Sequence, residues 1–310
     1  MTSNPLRPWL IAARLFALPA SSMPVLFGAA AAWAVTGAPL RTAALVVALL
    51  GMMILHTGAN MLSDVNDWRR GLDRAPTPLS GAIVRGMLTD RQVRRGALLL
   101  LALGAALGAG LAWTTGSPAL WIVGAAGIFI GYSYTEPPLR LKYRALGDLA
   151  VFLNFGVMGA LGAWIVQTRA FDVRPMVWAL PVALLVIGIL HANNWRDIAG
   201  DTGAGIRTVA SRLGDAGSLR YYGLLVFAPF VLTAAFVFLP RLFAAPAAWR
   251  LPHSALLAWM ALPAAVRCFR RARRRRAPVR PLDFVALDGA TAQLNLLFGL
   301  LYTLGVAWGR

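Results

Sequence analysis

Residues 42–62 read T-A-A-L-V-V-A-L-L-G-M-M-I-L-H-T-G-A-N-M-L and contain no acidic residue, lysine or arginine. A helix of about 20 residues crosses the roughly 30 Å of hydrocarbon in a bilayer, because it rises about 1.5 Å per residue. The stretch is therefore long enough to span a membrane. The acidic sequence S-D-V-N-D-W of residues 63–68 follows directly at its end. These two neighbouring features predict the fold class and the place of a functional site.

Comparable apolar stretches recur along the chain. The sequence predicts nine membrane-spanning helices, near residues 10–34, 42–62, 96–114, 118–134, 149–167, 175–193, 219–239, 251–267 and 290–308. The first contains Arg14, but further spans follow it, so we expect a membrane helix and not a removed signal peptide. The predicted fold is all-α: a polytopic membrane protein in which residues 1–310 form a single domain.

The composition agrees with this class of protein. Hydrophobic residues make up 58% of the chain, charged residues only 14%, and the mean hydropathy is +0.64. Soluble proteins carry about 25% charged residues, so a soluble globular fold and a disordered chain are both excluded. The single cysteine, Cys268, cannot form an internal disulfide, and the sequence has no cysteine and histidine cluster with zinc-ligand spacing.

The net charge of +18 is distributed unevenly. If the N-terminus is cytoplasmic, the cytoplasmic loops hold twenty arginine and lysine residues, and the opposite loops with the C-terminus hold six. This positive-inside bias supports nine crossings, because one missed span would invert it. The arginine run at 270–276 lies in a predicted cytoplasmic loop, so we expect contact with anionic lipid and not with nucleic acid.

Five of the twelve acidic residues lie in two short segments, at corresponding ends of the second and sixth predicted spans. Positions three and four apart share one face of a helix. The first predicted polar stripe is Asn60, Asp64 and Asp67, and Asp73 follows it. The second is Asn194, Asp197 and Asp201, and Asn193 precedes it. Carboxylates that point in one direction repel unless a cation lies between them, which favours a Mg²⁺ site. The alternative is solvated acids paired with Arg69, Arg70 and Arg196.

The loop after the fourth span contains the opposite charge. It carries Tyr132, Tyr134 and Glu136, then the sequence P-P-L-R-L-K-Y-R at residues 137–144. Arg144 and Lys142 in this loop could bind a diphosphate, arginine by paired hydrogen bonds and lysine as a point charge. A rigid Pro-Pro turn with ordinary cytoplasmic basic residues is an equally good interpretation of the same loop.

These segments resemble the UbiA superfamily of intramembrane prenyltransferases. The first motif matches from Asn60 through Asp64 and Asp67 to Asp73, and the second from Asn193 to Thr208. The loop at 137–144 and the stretch L-G-D-L-A-V-F-L-N-F-G at 146–156 match as well. Within the superfamily the sequence is most similar to the 1,4-dihydroxy-2-naphthoate polyprenyltransferases of menaquinone synthesis.

The resemblance implies a set of functional residues. The residues that would bind Mg²⁺ and take part in catalysis are Asp64, Asp67, Asp197 and Asp201. The residues that would bind substrate are Asn60, Asp73, Arg85, Tyr134, Lys142, Arg144, Asn193 and Asn194. Two positions depart from the expected pattern: Ser63 stands where asparagine is usual, and Glu136 places an acid in a loop that should meet a diphosphate. We expect His56 and His191 to be structural.

The implied reaction transfers a polyprenyl group from its diphosphate to an aromatic acceptor, with 1,4-dihydroxy-2-naphthoate and loss of CO₂ as the expected case. Mg²⁺ would neutralise the diphosphate so that the allylic carbon to oxygen bond can ionise. The other possibilities are prenylation of a benzoate-type acceptor, cyclisation of the prenyl diphosphate, or a membrane transporter. Transport would favour charges near span centres, whereas here the acids cluster at span ends. We expect the enzyme in the inner (plasma) membrane, with its site open to the cytoplasm.

Overall fold

The computed structural model describes residues 5–72, 81–275 and 281–309, with side chains of the last helix from residue 287 onward. Its helices are α1 Arg7–Ala13, α2 Pro19–Thr36, α3 Thr42–Arg69, α4 Asp90–Thr115, α5 Pro118–Ser133, α6 Gly147–Val151, α7 Gly159–Thr168, α8 Arg174–Trp178, α9 Leu180–Arg196, α10 Ile198–Gly203, α11 Val209–Leu242, α12 Leu262–Arg273 and α13 Pro281–Trp308. Within these described ranges all regular structure is helical, apart from one isolated β-bridge between Arg144 and Arg207. The expected all-α fold is confirmed.

Several helix ends follow from local sequence. Thr89 caps α4 and Thr208 caps α11, each accepting a hydrogen bond from the backbone N–H three residues on. Pro118 opens α5, where the missing N–H costs nothing. Gly116 ends α4 with a φ of 69°, a left-handed conformation that glycine adopts without strain.

Five helical stretches are long and apolar enough to cross a membrane, or six if the bent pair formed by Arg7–Ala17 and Pro19–Thr36 counts as one span. The five are Thr42–Arg69, Asp90–Thr115, Gly147–Thr168, Val209–Leu242 and Leu287–Trp308. The other predicted spans fall on shorter or composite helices, among them α5 and α9. A polytopic membrane protein is supported, while the number nine stays a prediction.

The helices form one bundle. Helix α3 packs along α4, α9 packs against α11 and α13, and α2 lies between α7 and α13. Gly28 lets α2 approach α7 closely, because a Cβ there would lie 2.1 Å from the carbonyl oxygen of Ala160. Such contact between backbones at small residues is typical of helices that associate in lipid. On the outside, Leu99, Trp113 and Ile122 are exposed, and these apolar side chains suit hydrocarbon better than water.

Two irregularities interrupt the helices near one end of the bundle. Arg14 adopts φ 48° and ψ 50° between α1 and α2, where the chain bends by 52°. The segment Phe152–Met158 between α6 and α7 is π-helical. Inserted turns of this kind occur frequently at functional sites. Both irregular segments contribute residues to the cavity described next.

Candidate active site

A cavity lies within the bundle, at the ends of α3 and α9 that carry the two acidic motifs. Its wall also includes the bend before α2, the π-helical segment and the loop after α5. The polar residues that line it are Arg14, His56, Asn60, Ser63, Tyr134, Lys142, Asn154, Asn193, Asn194 and Asp288. The structure therefore brings five of the predicted substrate-binding residues, Asn60, Tyr134, Lys142, Asn193 and Asn194, to one cavity.

The first acidic motif lies on the last turns of α3. Asp64 and Asp67 are both buried. Asp64 accepts a hydrogen bond from Arg14 at 2.5 Å, and the two side chains form an ion pair. Arg14 lines the cavity, whereas Asp64 itself is not among the lining residues.

Asp67 is bound by the loop after α5. Lys142 donates to its Oδ2, and the Tyr143 hydroxyl donates to its Oδ1 at 2.9 Å. Ser63, one of the two departures from the family pattern, also donates to Oδ2 at 3.3 Å and accepts from Lys142 at 3.0 Å. The serine hydroxyl thus joins the acid and the lysine, although it replaces the expected amide.

Electrostatics favour the charged form of Lys142. Burial alone lowers the pKa of the Lys142 ammonium, but the Asp67 carboxylate and two neighbouring tyrosines outweigh it, and the net shift is upward. Burial, and then the Asp67 carboxylate, raise the pKa of Tyr143. At neutral pH Lys142 is therefore charged and Tyr143 is a neutral donor.

The second acidic motif lies across a helix break. Asn193 and Asn194 belong to α9, whereas Asp197 ends that helix and Asp201 belongs to α10. The predicted single stripe is thus split between two short helices. Asp197 pairs with Arg196 at 2.8 Å, and Arg196 also contacts the buried Asp288 of α13 at 3.0 Å.

Glu136, the other departure, lies outside the cavity wall. Its carboxylate is buried and accepts hydrogen bonds from Arg94 and from Asn66, the latter at 3.3 Å. The salt bridge with Arg94 balances its charge. This acid therefore anchors the loop against α3 and α4 and does not oppose an anion in the cavity.

Three predicted substrate-binding residues are not placed in the cavity, and the four aspartates predicted to hold Mg²⁺, Asp64, Asp67, Asp197 and Asp201, are not among its lining residues either. Arg85 and Arg144 are exposed and do not line it, since Arg144 pairs instead through its backbone with Arg207. Asp73 lies outside the described residues. The cavity in turn includes four residues that were not predicted to be functional, namely Arg14, Asn154, Phe155 and Asp288. Asn154 and Phe155 belong to the matched stretch at 146–156, and Arg14 is a charge within an apolar span, which is unusual.

The two histidines have structural contacts. His56 lies 3.0 Å from the Ser21 hydroxyl and packs against the ring of Phe155. His191 is fully buried and contacts the ring of Tyr221 edge-on, with centroids 4.7 Å apart. His56 also lines the cavity, so the structural role of the two histidines stays a prediction.

The donor set fits Mg²⁺. Carboxylates and amide oxygens are the ligands this cation prefers, and it usually takes one or two carboxylates together with waters and substrate phosphates. Among the residues that the structure describes, no three acidic, histidine or cysteine side chains lie close enough to hold a metal ion by themselves. A Mg²⁺ ion bound here would take its remaining ligands from water and from substrate phosphates.

A second chamber, lined almost entirely by apolar residues, adjoins the first. Ala59, Gly131, Asn154 and Phe155 line both spaces. A charged mouth joined to a long apolar chamber is suited to an amphiphile with an anionic head and a hydrocarbon tail. Fold and site together define an intramembrane enzyme class that acts on such substrates.

Comparison with known proteins identifies the family. The model of the UbiA prenyltransferase family matches residues 21–287. UbiA prenyltransferase domain-containing protein 1 of Gallus gallus is 31% identical over 303 residues, which cover 97% of this chain and 83% of the relative. The chain belongs to the UbiA prenyltransferase family.

Solved structures share the fold. A UbiA homolog from Archaeoglobus fulgidus bound to DMAPP and Mg²⁺ has a TM-score of 0.61 at 17% identity, over 97% of this chain and 99% of that one. The homolog from the same organism bound to GPP and Mg²⁺ gives 0.62 at 17% identity, over 95% and 99%. At this identity the likeness shows the fold, which is the UbiA fold. The narrower naphthoate branch stays a prediction.

Proposed function

We propose that this protein transfers a prenyl group from a prenyl diphosphate to an aromatic acceptor. The observation that carries the proposal is that the polar cavity, which Asn60 and Asn193 of the two motifs help to line, shares four lining residues with the apolar chamber beside it. The family relatives with DMAPP or GPP and Mg²⁺ support the same substrate class. A diphosphate at the mouth leaves its prenyl chain directed into the apolar space.

The head of the substrate would lie among residues from four elements. Asp64 and Asp67 of α3, and Asp197 and Asp201 of the second motif, would hold Mg²⁺, and Lys142 would contact the diphosphate oxygens. When bound, Mg²⁺ neutralises the diphosphate and makes it a better leaving group. Arg14, Lys142 and Arg196 each form an ion pair with one of these carboxylates.

The reaction begins when the bond between the allylic carbon and the diphosphate oxygen breaks. Both electrons go to oxygen, and an allylic cation remains. The apolar lining of the chamber disfavours water, and the rings of Phe155 and Tyr134 at the cavity wall provide electron-rich faces that favour a cation. A carbon of the acceptor ring then attacks the cation, and loss of a proton, or of CO₂ from a carboxylated carbon, restores the aromatic ring.

For the acceptor we propose 1,4-dihydroxy-2-naphthoate. Support comes from the sequence motifs, chiefly the paired Asn193 and Asn194 and the loop at 137–144. Asn60, Asn193 and Asn194 line the cavity, where their amides are suited to hydrogen bonds with acceptor hydroxyl groups. A benzoate-type acceptor, or cyclisation without an acceptor, would use the same ionisation step.

The test is product analysis with purified protein in detergent. Offered geranylgeranyl diphosphate with 1,4-dihydroxy-2-naphthoate or with 4-hydroxybenzoate, the protein should form a prenylated naphthoquinol that lacks the carboxylate. A carboxylated benzoate adduct, or a cyclic terpene formed without acceptor, would overturn the acceptor assignment. Release of no diphosphate under any of these conditions would overturn the transferase proposal itself.

The cellular setting is part of the same proposal. The excess of basic residues in alternate loops supports a cytoplasmic N-terminus in the inner (plasma) membrane. The site would then open to the cytoplasm, and anionic lipid would meet the basic segment at the end of α12.

A further inference from the structure

The apolar chamber has a measurable depth along its helices. Along α3 its lining runs from Ala59, which it shares with the polar cavity, to Val47. Along α5 the lining runs from Gly131, also shared, to Leu120. At 1.5 Å per residue these stretches are about 18 Å and about 16 Å long. The two helices therefore agree on a chamber that reaches about 16 to 18 Å beyond the polar cavity, more than half of a bilayer's hydrocarbon thickness.

Two glycines lie at the same intermediate depth on neighbouring helices. Gly124 of α5 is seven residues from Gly131, or about 10 Å into the chamber. On α4, Leu101 lies at the end of the chamber nearest the polar cavity. It is level with Ala59, because a Cβ on the neighbouring Gly58 would lie 3.0 Å from Leu101 Cγ. Gly108 is seven residues further along α4, again about 10 Å deep.

Both glycines keep the chamber open at that depth. A Cβ built on Gly108 or on Gly124 would have no heavy atom within 4 Å, although both residues line the chamber. By contrast, a Cβ on Gly127, nearer the polar cavity, would lie 3.0 Å from the Asn154 side-chain oxygen. Unfilled space in a protein interior forfeits packing contacts. Larger side chains at Gly108 and Gly124 would fill this space, so its persistence indicates a use.

We propose that Gly108 and Gly124 determine the longest prenyl chain that this enzyme accepts, by leaving open the passage from the first 10 Å of the chamber to its far end. The inference rests on the proposed function and adds a specificity for long prenyl diphosphates. Chains that end before this depth do not contact the two positions. Longer prenyl chains extend past both glycines, between α4 and α5.

The chain offers matched controls on the same two helices. Ala125 is exposed on the outer face of α5, next to Gly124, and Gly110 is exposed on α4, two residues from Gly108. A Cβ on Gly110 also meets no atom within 4 Å. Gly108→Leu and Gly110→Leu change helix propensity equally. A difference in activity between these two variants is therefore due to the leucine side chain inside the chamber.

The experiment compares turnover of dimethylallyl, geranyl and geranylgeranyl diphosphate by the wild type, Gly124→Leu, Gly108→Leu and the controls Ala125→Leu and Gly110→Leu. We expect both chamber variants to keep at least half of the wild-type kcat/KM with dimethylallyl diphosphate. With geranylgeranyl diphosphate they should lose about tenfold or more, the size of effect that overpacking produces. The control variants should keep the wild-type profile.

An unchanged chain-length profile in both chamber variants, or an equal change in the controls, overturns the proposal. Failure of the proposed function is recognised separately, because the wild type would then turn over none of the diphosphates. In that event the rise in Tm that each of the three diphosphates causes shows how strongly the protein binds each chain length. The proposal requires Gly124→Leu and Gly108→Leu to lose stabilisation selectively with the longest compound, and an unchanged profile contradicts it.

Discussion

Lys142 donates a hydrogen bond to the carboxylate of Asp67, although 75 residues separate them in the chain. The loop after α5 is therefore attached to the first acidic motif through a partly buried ion pair. The same acid also accepts a hydrogen bond from Tyr143. A loop that was equally consistent with a plain turn thus contributes directly to the site.

Removing the lysine charge should weaken binding of the prenyl diphosphate. In Lys142→Met we expect KM for the diphosphate to rise about 10- to 100-fold, because a hydrogen bond to a charged group contributes about 1.5–3 kcal/mol. The matched control is Arg140→Met, since Arg140 is an exposed cation of the same loop. Steady-state kinetics in detergent measure both. An equal rise in the two variants would show that only the overall loop charge matters.

The two acidic motifs should both be needed for the metal-dependent step. Asp64→Asn and Asp197→Asn should each lower kcat about 100-fold or more, because the developing diphosphate charge is no longer balanced. Chelation should abolish activity, and added Mg²⁺ should restore it. Asp90→Asn is the control, because Asp90 pairs with Arg69 away from the cavity.

Binding provides an independent check of the same assignment. The electron paramagnetic resonance signal of free Mn²⁺ should decrease when wild-type protein and a diphosphate are added together. It should decrease less with Asp64→Asn or Asp197→Asn. Full activity and full Mn²⁺ binding in either variant would remove that aspartate from the site.

The sequence was informative where chemistry is local. The apolar runs predicted helices that the structure contains, and the spacing of Asn60, Asp64 and Asp67 placed them on one stretch of α3. Helix termini were less certain, because Asp197 ends α9 and the second motif continues on α10. The number of crossings also depends on bends and breaks, which a hydropathy pattern does not record.

Contacts between residues that are far apart in the sequence could not be predicted, because each contact depends on how distant helices pack together. Glu136 looked unsuited to a diphosphate loop, yet it pairs with Arg94 of α4. The π-helical turn that brings Asn154 and Phe155 to the cavity wall has no distinct sequence pattern. Asp288 reaches the site only because α13 packs against α9.

Arg14 should compete with a bound cation for Asp64. The two side chains form a partly buried ion pair, and loss of one partner from a fully buried pair costs about 3–5 kcal/mol. At this more exposed position a smaller loss is expected. In Arg14→Gln we therefore predict a lower Tm in chelator and a larger rise in Tm on addition of Mg²⁺ with a diphosphate than in wild type.

The control for Arg14→Gln is Arg7→Gln, which removes an exposed arginine at the start of the same helix, α1. It should change neither the Tm in chelator nor the response to Mg²⁺. If Arg14→Gln and wild type gain equally from Mg²⁺, then Arg14 does not compete with the cation, and its ion pair with Asp64 only anchors α1.

The basic loops should lie on one side of the membrane. Replacing the buried Cys268 with serine gives a background for single cysteines at Gly205, between α10 and α11, and at Phe171, between α7 and α8. A membrane-impermeant thiol reagent added to intact cells should label Phe171→Cys, which is exposed, and should label Gly205→Cys only after lysis. This follows because Arg207 and Arg212 lie shortly after Gly205 in the chain, and arginine-rich loops remain cytoplasmic. Ala244→Cys, after α11, should behave like Phe171→Cys. Labelling of Gly205→Cys and Phe171→Cys from the same side would contradict the orientation and, with it, the cytoplasmic opening of the site.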